Sequence, residues 1–248
     1  MTQDGFDGEG EDGVDGIWTY PAEQELARYG EFRITVVEPP FPVGMDGLPA
    51  HDPERARELA VGLGTVDGVV AEVDRIEAVR RMPFATRADL DLVGIGHWGG
   101  LIEINDPALA FTGGDFPLAK VAEELSRRHP GAAVIGSTTV DHHATHHTHV
   151  IHHPDGTRLF ASGWAGEGDW DLSGAPRDIA VAFGIGAAEL AERAVELDAE
   201  PGDLSWEGLT RAVLRSVGPL PRSGRTLSVF RVRRDERTAG DLEETWID

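Results

Sequence analysis

Residues 133–163 read AVIGSTTVDHHATHHTHVIHHPDGTRLFASG. Ala133 to Val140 is a β-branched run with the length and bounds of a strand. Pro154-Asp155-Gly156 has the chemistry of a type I turn closed by a left-handed glycine. The runs on either side, His146 to His153 and Thr157 to Gly163, are therefore expected to pair as a hairpin. Just upstream, Leu118, Val121, Ala122 and Leu125 form a helical stripe that stops at His129-Pro130-Gly131. A helix feeding antiparallel strands places the chain in the α+β class.

The flanks extend this pattern. Glu31 to Glu38 puts Phe32, Ile34 and Val36 on one face of a strand, ended by Pro39, Pro40 and Pro42. Leu90 to Val93 and Leu101 to Ile104 read as strands around a glycine-rich turn, and Thr226 to Arg233 as a late strand. Helices are expected at Ala22 to Tyr29 and from the Asp52-Pro53 cap to about Leu63. The spacing of Val66, Val69, Val70 and Val73 predicts a further helix towards Arg81. Ile179 to Phe183, Ala187 to Val195 and Trp206 to Val217 complete the set. The expected fold is an antiparallel sheet meander packed with several helices. Residues 1–16 hold six acids and five glycines and read as a disordered acidic tail. Residues 17–234 read as one α+β domain, and 235–248 as an acidic C-terminal segment.

Composition narrows the function. The chain has 248 residues, 44 acidic and 22 basic, for a net charge of −22, and no cysteine. A disulfide scaffold, thiolate zinc and a cysteine nucleophile are excluded together. The charge repels phosphate backbones, so no nucleic-acid partner is expected. No apolar run has the length of a membrane span and no basic-then-apolar leader opens the chain, so a cytoplasmic protein without a membrane partner is expected.

Seven of the ten histidines lie between His142 and His153. On a strand, residues two apart share a face, so His147 and His149 present two imidazoles together. With His143 as third ligand, they form a candidate site for a divalent metal such as zinc, the basis of a metal-dependent hydrolase. The same alternation sends other histidines to the opposite face, which favours a solvated, histidine-rich edge over a dedicated site. Gly94-Ile95-Gly96-His97-Trp98-Gly99 fits the dinucleotide fingerprint literally. Yet a strand follows it where that fingerprint needs a helix, so close backbone packing is expected. No serine-hydrolase elbow, phosphate loop or zinc-protease helix motif is present. With no catalytic signature, the charge points to a non-enzymatic interaction domain of inhibitor, immunity or regulatory type. Its expected partner is a protein with a basic surface.

The stretches WTYPAEQELARYGEFRITVVEPP (18–40), GHWGGLIEI (96–104), GSTTVD (136–141) with SGW (162–164), and TLSVFRVR (226–233) are similar to a family of uncharacterised actinobacterial proteins. They are of the kind found in streptomycete-like genomes. The resemblance spans most of residues 18–234 and implies a bacterial cytosolic origin. It carries no known activity, so no site residue comes from it.

Overall fold

The computed structural model describes residues 17–43, 48–218 and 224–248; the acidic stretch 1–16 lies outside them. Within these residues nine strands form one antiparallel sheet: β1 (Tyr29–Val37), β2 (Gly68–Glu77), β3 (Leu92–Trp98), β4 (Leu101–Asn105), β5 (Ala133–Asp141), β6 (Thr145–His152), β7 (Arg158–Trp164), β8 (Trp170–Ser173) and β9 (Thr226–Arg233). Among the described residues six α-helices pack on it: α1 (Pro53–Val61), α2 (Pro117–Arg128), α3 (Pro176–Ala182), α4 (Ala187–Glu192), α5 (Trp206–Val217) and α6 (Glu236–Trp246). The α+β class holds. The meander is limited to β5-β6-β7-β8, because the full order is β2-β9-β3-β4-β1-β5-β6-β7-β8. The first strand enters mid-sheet between β4 and β5, and the last inserts between β2 and β3.

Alternation along the strands divides the core in two. Phe32, Ile34 and Val36 share one face with Val93, Ile95, Ile102, Ile104 and Val134, covered by α1, α2 and α6. Val37, Leu101, Ile135, Ile151 and Val229 point to the other face, covered by α3, α4 and α5. We call these the first and second faces. Asp52 caps α1 as its sequence predicts, accepting from the backbone N–H of Glu54 and Arg55.

Two expected helices are absent. Residues 68–77 are β2, an edge strand whose register slips between Val69 and Ala71 and again between Glu72 and Asp74. Val70 and Val73 are the extra residues of those slips and stand 47% and 46% exposed, so the apolar spacing that mimics a helical stripe marks no common face. Ala22 to Arg28 is irregular chain, tied by a Glu25–Thr86 bridge and by the Leu26 N–H to the Ala85 carbonyl, and Tyr29 opens β1. The segment 235–248, read from its charge alone, forms α6 and seats Trp246 in the first-face core at 0% exposure. The G-x-G-x-x-G stretch lies mostly within β3, and the turn is Gly99-Gly100. At Gly96 a Cβ would collide with the Trp98 indole, so close packing accounts for this glycine.

Candidate functional site

Strand register lines up side chains across the second face. One row runs Glu31, Thr139, His147, Gly163, Trp170; the next runs Arg33, Ser137, His149, Ala161, Leu172. Helices α3 to α5 cover the end of this face where the apolar core lies. Towards the Tyr29 end of β1 the rows emerge as an open polar floor, with Arg33, Ser137, Thr139 and His147 half-buried and Glu31 exposed. On β4, Glu103 is buried at 3% exposure; it accepts from Asn105 Nδ2 at 3.2 Å and lies 3.7 Å from Arg33 Nε.

One end of this floor is a cavity of ≈ 200 Å³ lined by His147, Ala165, Trp170, Gly202, Leu204, Ser205, Trp206 and Glu207. Its indoles are held firmly. Trp170 and Trp206 lie 5.5 Å apart at 21°. Trp170 Nε1 donates to the carbonyls of Trp164 and Glu167, and Trp206 Nε1 donates to that of Pro201 at 2.8 Å. The Gly166 N–H donates to the Gly202 carbonyl at 3.3 Å and joins the β7–β8 loop to the segment before α5. Those two segments, 165–173 and 196–207, contribute eight acids (Glu167, Asp169, Asp171, Glu196, Asp198, Glu200, Asp203, Glu207) and no lysine or arginine.

The histidines divide between the faces as the alternation requires. His147 and His149 share the second face, their rings 6.0 Å apart at 18°. His146 and His152 lie on the first. His143 does not join the pair: it sits exposed in the β5–β6 turn with its ring 4.0 Å from that of His142. Among the described residues no group of three His, Cys, Asp or Glu side chains is placed to hold a metal ion. Nor is β6 a solvated edge, since β5 and β7 flank it and His146, His149 and His152 are buried. His149 Nδ1 meets Thr210 Oγ1 of α5 at 2.9 Å, while its Nε2 and His147 Nδ1 are buried without hydrogen-bond partners. Burial lowers His147 too, against the charges of Asp141 and Glu207.

Burial drives His149 down to about 3 and His146 and His152 down to about 4. Their ordinary value is 6.5, so on acidification the unfolded chain takes up protons before the folded one. Stability present above pH 6.5 is therefore lost as pH falls towards 4. Asp91 works in the opposite sense: burial raises it to about 6 despite Arg87 Nη1 at 3.0 Å, so its contribution declines as pH rises from 3.8 to about 6. Three histidines outweigh this one carboxyl. We expect urea unfolding to show a loss on the order of a few kcal/mol between neutral pH and the acid side. A His152→Gln variant should have a shallower slope than the parent; identical slopes would contradict this.

A second constellation has no local sequence signal, because its members are far apart in the chain. His51 Nε2 lies 2.8 Å from Ser228 Oγ, which lies 2.8 Å from Glu72 Oε1. This has the composition of a serine triad but the opposite polarity. The backbone N–H of His97 donates to His51 Nδ1 at 3.3 Å, so the ring proton is on Nε2 and is donated to Ser228. Ser228 in turn donates to Glu72. The imidazole, itself the donor to Oγ, cannot take the serine proton as triad activation requires, and Ser228 is 0% exposed. The chain of bonds ties β9 to β2 and to the loop before α1.

An antiparallel sheet with helices on both faces and one polar stretch left open defines this protein's class. The chain belongs to the family of unknown function DUF6333, whose model matches residues 17–248. No curated protein and no solved structure matches it. No helix among the described residues is long and apolar enough to cross a membrane.

Proposed function

We propose that this protein is a non-enzymatic interaction domain of inhibitor or regulatory type whose two acidic loops take a basic segment of a partner protein. The observation that carries the reading is the joining of 165–173 and 196–207, segments with eight acids and no lysine or arginine, beside an indole-lined cavity whose own carboxylate is Glu207. An arginine entering there would meet the Glu207 carboxylate, displacing its exposed pairing with Arg211, and indole faces for cation–π contact. The overall charge of −22 would steer a basic partner inwards and disfavours nucleic acid.

The test is calorimetric titration with a synthetic peptide of alternating arginine and glycine. Exposed charge pairs each contribute about 0.2–1 kcal/mol, so neutralising three of the loop acids, Glu167→Gln, Asp169→Asn and Asp203→Asn, should weaken binding about fivefold or more. Neutralising three distant acids, Glu54→Gln, Asp67→Asn and Glu236→Gln, should change it less than about twofold. Equal losses in the two triple variants would reduce the effect to bulk charge and overturn the reading.

A metal-dependent hydrolase built on His147 and His149, with His143 exposed in the β5–β6 turn away from them, is the second reading, favoured by the unpartnered nitrogens of that pair. It requires the untagged protein to carry one stoichiometric metal that a His147→Ala/His149→Ala variant loses with its fold intact.

A further inference from the structure

The opposite end of the open floor carries the reverse charge. Between β1 and the segment that follows β2 lies a cavity of ≈ 150 Å³ lined by Tyr29, Gly30, Glu31, Phe32, Arg33, Arg80, Arg81, Met82, Phe84, Asn105 and Leu227. Three arginines and a single carboxylate line it, in a chain whose acids outnumber its bases 44 to 22. The apolar contribution comes from Phe32, Met82, Phe84 and Leu227. We propose that this cavity binds a small amphipathic anion: an organic carboxylate, sulfonate or phosphate ester bearing an aromatic or aliphatic body.

The segment that brings the arginines is fixed. The Ala78 N–H donates to the Arg225 carbonyl, and the Arg80 N–H closes a turn on the Glu77 carbonyl. Met82 occupies the space that a Cβ on Gly94 would fill and packs into the second-face core. Phe84 packs edge-on against Phe32 at 5.0 Å and Trp246 at 4.8 Å in the first-face core. With Met82 and Phe84 seated in opposite cores, Arg80 and Arg81 are held beside the cavity. Arg81 Nη2 reaches Glu31 Oε1 at 3.1 Å, both side chains well exposed, and a pair this open exchanges readily for a bound anion. Arg33 enters from β1, 3.5 Å from Asn105 Oδ1 and 3.7 Å from the buried Glu103 carboxylate, which offsets its charge and leaves the attraction mainly to Arg80 and Arg81. An anionic head would have guanidinium groups from two sides, and its apolar body would cover the ring and thioether surface.

The probe is 8-anilinonaphthalene-1-sulfonate, followed by fluorescence, beside its uncharged relative N-phenyl-1-naphthylamine. One saturable site is expected for the sulfonate, with the uncharged compound binding about tenfold more weakly or less. The Arg80→Ala/Arg81→Ala variant should weaken sulfonate binding about tenfold, since both side chains are exposed and can be removed without disturbing the core. The Glu167→Gln/Asp169→Asn/Asp203→Asn protein should bind the sulfonate as the parent does, which separates this site from the acidic loops. Absence of saturable binding, equal affinity for the two dyes, or an unchanged affinity in the double-arginine variant would each overturn the proposal.

Discussion

Asp106→Ala should destabilise the protein by about 3–5 kcal/mol, the cost of leaving one partner of a buried ion pair uncompensated. Asp106 and Arg234 are both 0% exposed at their side chains. All five guanidinium N–H groups are used: Nη1 and Nη2 donate to the two carboxylate oxygens at 3.2 and 2.9 Å, and the rest donate to the carbonyls of Leu90 and Thr65. Asp106 also accepts from Thr65 Oγ1 and from the Ala108 N–H that opens the turn after β4. Removing the carboxylate strands a charge where no water can reach it. For a chain of this size each kcal/mol moves the melting temperature by about 2–4 °C, so calorimetry should record a drop of roughly 6–20 °C. Arg177→Ala, which breaks the exposed pair with Asp198, should cost less than about 1 kcal/mol. The two losses being equal would contradict the role given to burial.

Trp246→Ala is the second large loss expected, about 3–5 kcal/mol for a fully buried aromatic side chain. The indole lies 4.8 Å from Phe84 and 5.8 Å from Phe32, both edge-on, and its Nε1 donates to the Pro107 carbonyl at 3.1 Å. The helix that carries it also receives the N-terminal chain: Glu243 accepts from the backbone N–H groups of Thr19 and Tyr20, and the Trp246 carbonyl accepts from the Ala27 N–H. Trp246→Phe keeps a ring and loses the indole donor, so it should retain most of the stability. A truncation variant ending at Asp235 should fail to unfold cooperatively. Two-state denaturation with unchanged midpoint in Trp246→Ala would refute this account of the core.

The residues that gave themselves away in the sequence are those whose partners lie nearby. The Pro154-Asp155-Gly156 hairpin, the Asp52 cap and the stripe of α2 are local features, and each appears where its pattern places it. The α6 helix carries Ala239, Leu242 and Trp246 on a helical stripe, but Glu236, Asp241, Glu243 and Glu244 hid it among acids. In β2 the bulges disguised a strand as a helix. The histidine spacing separated the two faces correctly. Burial of His149 depends on Thr210 and Trp206 from a helix some sixty residues later, which no window around the histidines contains. The arginine-lined cavity is likewise assembled from β1, β4 and the segment after β2, and only the sheet order brings these together.

Amide hydrogen exchange with the arginine–glycine peptide bound tests the functional reading most directly. Binding at the acidic end of the open floor predicts slowed exchange confined to residues 165–173 and 196–207, fading as salt is raised. Protection spread evenly over the acidic surface, or centred on α1 and α6 across the sheet, would contradict it.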